Sequence, residues 1–197
     1  MSKILLIMIV MLALAGCGKS RELEKRDYVM AIAIDDKEGY NVSTAVAKPT
    51  GGSDSNPNEE IVFSGKGDTI DDAVSDINNR TKGQLYMGHN RVIILSGDFN
   101  DYKGLIDYFS NNVEMSRDTI IVKSNNPSKI ISAKNNEDSA SRYIYNYFEN
   151  KKKVDMDRLM DYYNKGEEII LPEAVIENEN VIIKWYKIMK LKTVKFR

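Results

Sequence analysis

The chain has 197 residues, and its 28 basic and 29 acidic side chains leave a net charge of −1. This balance argues against nucleic-acid binding, which needs a basic surface. The single cysteine rules out an internal disulfide, and the single histidine leaves too few ligands for an ordinary zinc site.

The first residues have the layout of a secretory signal peptide. Lys3 precedes an apolar run, residues 4–14, which is too short to span a hydrocarbon core about 30 Å thick. The run leads into a tetrapeptide that is similar to a bacterial lipobox, Leu14-Ala15-Gly16-Cys17. We therefore predict a signal peptide over residues 1–16 and cleavage between Gly16 and Cys17.

Cys17 is predicted to carry a thioether-linked diacylglycerol and an N-acyl chain such as palmitate, and we expect no other cofactor. One acyl chain binds a membrane only marginally, whereas two or three make the attachment durable. The predicted location is the outer face of the cytoplasmic membrane. The alternative is an ordinary secretory signal that happens to contain a cysteine. Residues 17–27 are mostly charged and fit either a solvated tether or the first turn of a helix.

The next segments alternate between strand and turn signals. Residues 28–34 and 40–47 are rich in β-branched and apolar side chains, which predicts a β-hairpin. Residues 48–60 collect proline, glycine, serine and asparagine, which is typical of an exposed loop. A third strand is predicted at residues 61–64.

The middle of the chain alternates between helical and strand patterns. Apolar residues spaced i, i+3, i+4, i+7 predict a helix over residues 69–81 and another around residues 102–109. Three further strands are predicted at residues 85–86, 91–95 and 119–122. A short helix is predicted at residues 128–133.

A polar break at residues 135–138 predicts a domain boundary. Beyond it we expect helices around residues 140–148 and 159–163, and strands at 169–171 and 181–186. The predicted fold class is α+β: a mixed sheet with amphipathic helices packed on it over residues 28–134. An incomplete second α/β region is predicted to follow over residues 135–197.

Three motifs admit a chemical interpretation beside a structural one. His89 is expected to be a structural or interface histidine at the start of a strand, with a pH-sensitive contact or catalysis as alternatives. The glycines of Gly65-Lys66-Gly67 precede a helix, but their spacing does not match a phosphate-binding loop. Paired aspartates occur at turns and helix starts, where they are favoured without any metal.

Several ordered motifs together resemble a known family, the Ger(x)C lipoproteins that form the C subunits of spore germinant receptors. The motifs are Arg21-Glu22-Leu23, the strand end Asp35-Asp36-Lys37, Phe63-Ser64-Gly65-Lys66-Gly67-Asp68-Thr69-Ile70, Tyr86-Met87-Gly88-His89, Gly104-Leu105-Ile106-Asp107-Tyr108-Phe109 and Glu114-Met115-Ser116-Arg117. The resemblance runs from the lipobox to about Tyr147.

The resemblance implies a non-enzymatic subunit in the spore inner membrane that works with two integral-membrane partners, an A-type and a B-type subunit. Small germinants would trigger the complex, and whether this subunit touches them stays open. Family members have three soluble domains, whereas this sequence ends soon after the start of the second. We therefore predict a truncated or split gene product.

The candidate partner interface consists of Tyr86, Gly88 and His89, together with the loop of residues 48–60. One alternative function is that of a substrate-binding lipoprotein of a membrane transporter, which needs two lobes around a cleft. Another is an exported hydrolase, although the sequence shows no recognisable nucleophile and base.

Overall fold

A computed structural model describes residues 26–48, 59–135 and 138–185. Within these ranges one mixed sheet holds eight strands. Their bounds are β1 Arg26–Asp35, β2 Tyr40–Ala47, β3 Glu60–Gly67, β4 Gln84–Tyr86, β5 Val92–Ser96, β6 Ile120–Ser124, β9 Glu173–Glu177 and β10 Asn180–Lys184. A separate two-stranded ribbon pairs β7 Lys134–Asn135 with β8 Asp138–Ser139.

Strand β1 lies in the middle of the large sheet, whose order is β10-β9-β6-β5-β1-β2-β3. β1 pairs in antiparallel fashion with β2 and in parallel fashion with β5, and β4 pairs in parallel with the first residues of β1. The register with β2 shifts between Val29 and Ala31, so Met30 forms a β-bulge. Because of this bulge, Val29 and Ile32 both face the same side of the sheet.

In the described ranges, five α-helices cover the two faces of the sheet. They are α1 Ile70–Asn78, α2 Tyr102–Asn111, α3 Pro127–Ile131, α4 Ala140–Phe148 and α5 Met156–Lys165. Helices α1, α2 and α5 bury their apolar side chains on one face, whereas α3 and α4 cover the other. A central strand that is apolar on both sides, such as residues 31–34 of β1, is stable only in such a layered arrangement.

Helix α1 packs unusually close to strand β3, because two glycines of the strand face it. A Cβ atom on Gly65 would lie 2.3 Å from the carbonyl oxygen of Ala73, and one on Gly67 would lie 2.4 Å from the Ala73 nitrogen. The hydroxyl of Thr69 caps the helix by accepting a hydrogen bond from the Asp72 amide at 3.1 Å. The Gly65-Lys66-Gly67 motif therefore allows helix α1 to pack closely on strand β3, and this packing explains its two glycines.

The predicted α+β class, with a mixed sheet and amphipathic helices, is confirmed. The predicted hairpin is the β1–β2 pair. The strand predicted at residues 169–171 is wrong: these residues are a loop whose Ile169 and Leu171 side chains enter the core, and the strand begins after Pro172. Proline cannot donate a hydrogen bond to a neighbouring strand, but its carbonyl accepts one from the Lys123 amide at 2.9 Å.

Strands on both sides of residue 135 belong to the same sheet, because β9 pairs with β6 through Lys123 and Glu173. The division into a domain of residues 28–134 and a second region of residues 135–197 stays a prediction. The predicted signal peptide, most of the predicted tether and the end of the last predicted strand lie outside the described residues.

Replacing Gly65 with alanine is expected to lower the free energy of unfolding by about 1–3 kcal/mol, because the new methyl group would overlap helix α1. Lys66→Ala is the matched control: its exposed side chain is next along the same strand, and its loss should change stability by less than about 0.5 kcal/mol. Urea denaturation of both variants and the wild type measures the difference. Equal stability of the two variants would contradict the packing described here.

Candidate interaction site at the start of the first strand

The site is built on the part of β1 that extends beyond β5. Residues Arg26–Tyr28 pair with β4, and residues 31–34 pair with β5, along the same edge of β1. Between β4 and β5 the chain makes a 3-10 turn over Met87–His89. Buried Met87 holds this turn in the core, so the residues on either side of it are carried next to the start of β1.

Three aromatic rings meet at this place in edge-to-face arrangements. The ring centroids of Tyr28 and Tyr86 are 5.6 Å apart, those of Tyr28 and His89 are 5.2 Å apart, and those of Tyr86 and His89 are 5.8 Å apart. The Arg26 guanidinium lies 4.8 Å from the centre of the Tyr86 ring. Edge-to-face pairs and a cation over a ring are both favourable geometries for aromatic side chains. We call these four residues the aromatic cluster.

Gly88 lies next to the aromatic cluster, and its lack of a side chain leaves room for the Tyr86 ring. A Cβ atom at this position would lie 2.5 Å from both Cζ and the hydroxyl oxygen of Tyr86. The Tyr86 ring therefore rests directly on the backbone of the 3-10 turn. His89 is exposed and the two tyrosines are half-buried, so the cluster offers a ring-lined surface to the solvent.

A carboxylate beside the cluster forms a hydrogen bond within the protein. Asp27 follows Arg26, and its carboxylate accepts a hydrogen bond from the backbone amide of Gly83 at 3.0 Å. Leu85 of β4 donates its amide to the Asn78 side chain at 2.9 Å, which joins the end of helix α1 to the same region. The surface therefore combines aromatic rings with the cationic side chain of Arg26.

The structure brings together the three predicted interface residues Tyr86, Gly88 and His89, and adds Arg26 and Tyr28, which sequence reasoning missed. Parallel pairing of β1 with β4 creates this neighbourhood, and parallel pairing over a long separation leaves no local sequence signal. The other predicted site residues, Gly16 and Cys17, lie outside the described residues.

Only the base of the predicted loop at residues 48–60 is described. There the Lys48 ammonium lies 2.8 Å from the Glu59 carboxylate, and the Lys48 amide donates to the Glu59 carbonyl at 2.9 Å. Val46, just before this base, is opposite Val29 of β1. The loop base and the aromatic cluster are thus at the same end of β1.

Polar side chains at the other end of β1 bind one another. Asp36 accepts hydrogen bonds from the Ser96 hydroxyl at 3.0 Å and the Asn100 amide at 2.8 Å. The Tyr40 hydroxyl donates to the carboxylate of Asp101, which also caps helix α2. Open α/β sheets often hold ligands at the carboxyl ends of their parallel strands, but here internal hydrogen bonds occupy these carboxylates.

Burial at this end raises the pKa of two tyrosines. The pKa of Tyr102 rises to about 12, mainly through burial and secondly through the negative charge of Asp36. The pKa of Tyr40 is raised still further by burial, by its hydrogen bond to Asp101 and by the neighbouring carboxylates. Both phenols therefore stay protonated in the folded protein at a pH at which the unfolded chain loses these protons.

None of the helices in the described part of the chain is long and apolar enough to cross a lipid bilayer.

The eight-stranded mixed sheet with helices on both faces defines an α+β domain. A family model described as "Spore germination protein N-terminal domain" matches residues 19–176, and the chain belongs to this family. This is the Ger(x)C family, whose members are germinant-receptor subunits and not enzymes. Searches of curated proteins and of solved structures found no match.

Gly88→Ala is expected to lower the free energy of unfolding by about 1–3 kcal/mol, because the methyl group would displace the Tyr86 ring. In a Tyr86→Ala background the same change should cost less than about 0.5 kcal/mol, since the overlap is gone. Urea denaturation of the two single variants and the double variant gives this coupling energy. A Gly88→Ala effect that is independent of Tyr86 would refute the described packing.

The free energy of unfolding is expected to fall as the pH rises above about 10. Below that pH both states hold the phenol protons, whereas above it only the unfolded state loses those of Tyr40 and Tyr102. Tyr102→Phe should flatten this fall, because one raised pKa is removed. Denaturation midpoints at a series of pH values measure the slope. A variant with the same slope as the wild type would show that Tyr102 has an ordinary pKa.

Proposed function

We propose that this protein is the lipid-anchored C-type subunit of a spore germinant receptor and that it acts through contacts with integral-membrane A- and B-type subunits. The observation that carries the proposal is the family match over residues 19–176. The lipobox-like residues 14–17 are separated from the matched range by one residue, which supports lipid attachment at Cys17. The proposed location is the outer face of the inner spore membrane.

The proposed anchor explains how weak lateral contacts can be sufficient. A subunit that is held in the same membrane as its partners meets them at a high effective concentration, so each contact needs little affinity of its own. We expect this subunit to contribute binding surface and not chemistry.

The proposed partner contact is the surface of Tyr86, Gly88 and His89. Half-buried tyrosines beside an exposed histidine and an arginine resemble the residues that dominate protein interfaces, where rigid rings provide much contact area at little entropic cost. Gly88 supports the contact by allowing Tyr86 to lie flat on the turn. The loop of residues 48–60 is a second proposed contact, since its base lies at the same end of β1.

The anchoring part of the proposal is tested by co-purification from detergent-solubilised spore inner membranes. Tagged wild type should bring down two multi-span receptor subunits, identified by mass spectrometry, and Cys17→Ala should recover much less. Recovery of transporter permeases would instead support a substrate-binding lipoprotein. Recovery of no membrane protein with the wild type would refute the receptor assignment.

The contact surface is tested in the same experiment with Tyr86→Ala and His89→Ala. Truncating a central aromatic side chain costs an interface about 2 kcal/mol or more, roughly a 30-fold weakening, so recovery of the receptor subunits should fall. Tyr163→Ala, which removes a half-buried tyrosine from helix α5, is the matched control. Unchanged recovery with correctly folded Tyr86 and His89 variants would exclude this surface.

A further inference from the structure

The start of β1 is held close to the membrane if Cys17 carries the proposed lipid. Arg26, the first residue of β1, follows Cys17 by nine residues, and even a fully extended chain of this length reaches only about 30 Å. Strand β1 has ten residues and is about 33 Å long, so its other end can lie much farther from the bilayer. The tether therefore keeps the end of the domain that contains Arg26 within about 30 Å of the membrane, whereas no such limit holds for the other end.

This end carries two cations that are not neutralised within the described residues. Arg26 lies over the Tyr86 ring, Lys82 is exposed in the turn before β4, and neither forms an ion pair in the described part of the chain. The neighbouring Asp27 is occupied by the Gly83 amide. Arg80, by contrast, is paired with Asp76. The side chains of Arg26, Lys82 and Asp27 together give this end a net charge of 2 − 1 = +1.

The rings at this end are those that suit the boundary between water and lipid. Tyrosine has an apolar ring and a polar hydroxyl, and it is enriched at the depth of the headgroups in membrane proteins. Tyr28 and Tyr86 lie beside Arg26, whose guanidinium binds phosphate well. Cations and tyrosines thus occur together at the end of the domain that the tether brings to the membrane.

We propose that the end of the domain formed by Arg26, Tyr28, Lys82 and Gln84, which we call the β1 tip, binds the headgroups of anionic phospholipids. This inference rests on the proposed attachment of lipid to Cys17. A basic residue near an anionic membrane surface strengthens binding about fivefold, so two of them fix the orientation of a domain that is already tethered. The orientation brings His89 and the base of the loop to the level at which membrane subunits emerge from the bilayer.

The test measures which end of the domain lies against the lipid. Cys17 is the only cysteine, and its thiol is occupied in the lipidated protein, so one introduced cysteine can be labelled specifically. A bimane probe is placed at Gln84→Cys in the β1 tip or at Glu38→Cys, an exposed residue at the other end of β1. The lipidated chain is reconstituted into vesicles that contain nitroxide-headgroup phosphatidylcholine as quencher.

In equimolar phosphatidylcholine and phosphatidylglycerol, the probe at residue 84 should be quenched severalfold more strongly than the probe at residue 38. The double variant Arg26→Gln with Lys82→Gln should lose most of this difference, and so should vesicles without phosphatidylglycerol. The matched control is Lys66→Gln with Lys129→Gln, which removes two exposed lysines from outside the tip and should leave the quenching unchanged.

Four results would overturn the proposal. Equal quenching at the two positions would show that the tip does not bind anionic headgroups. The same conclusion would follow if quenching at residue 84 changed neither in the Arg26→Gln, Lys82→Gln variant nor in vesicles without phosphatidylglycerol. Shielding of residue 84 only when the A- and B-type subunits are present would show that the tip binds protein. Failure of the wild type to float with the vesicles would refute the lipid attachment itself, which distinguishes the two failures.

Discussion

The structure depends on the burial of β1 between two sheet neighbours and two layers of helices. Residues 31–34 of this strand are almost inaccessible to solvent, and they face both hydrophobic cores. The bulge at Met30 lies between the residues of β1 that pair with β4 and those that pair with β5. The first residues of β1 pair with β4, and this pairing creates the aromatic cluster.

Local patterns in the sequence predicted most elements of the domain. The spacing of Ile70, Ala73, Val74 and Ile77 predicted helix α1, and all four side chains are buried as that pattern requires. The predicted end at residue 81 was too late, because the helix stops at Asn78, whose side chain binds the Leu85 amide. Local helical periodicity carries no information about this tertiary contact.

The candidate site was predictable only in part. Tyr86, Gly88 and His89 are close in sequence and could be grouped from a motif, whereas Arg26 and Tyr28 join them through a parallel pairing that spans more than fifty residues. Strand β9 escaped prediction for a related reason: apolar residues 169–171 resembled a strand more than residues 173–177 did, although they form a loop in which Ile169 and Leu171 are buried and Ile170 is exposed. Burial and strand formation produce similar apolar patterns over such short lengths.

The parallel pairing of β1 also shapes how the chain can fold. β1 precedes all of its neighbours in the sequence, and its partner β5 begins only at Val92. One edge of residues 31–34 therefore has no pairing partner until β5 has been made. Contacts between distant segments form slowly, and an apolar strand that waits for its partner is prone to aggregate. For a chain exported with its amino terminus first, the β1–β2 hairpin would be the first tertiary pairing available to this strand, and one edge of residues 31–34 would stay unpaired until β5 had followed. Anchoring at one end would then keep the unfinished sheet at the membrane surface while the rest of the chain arrived.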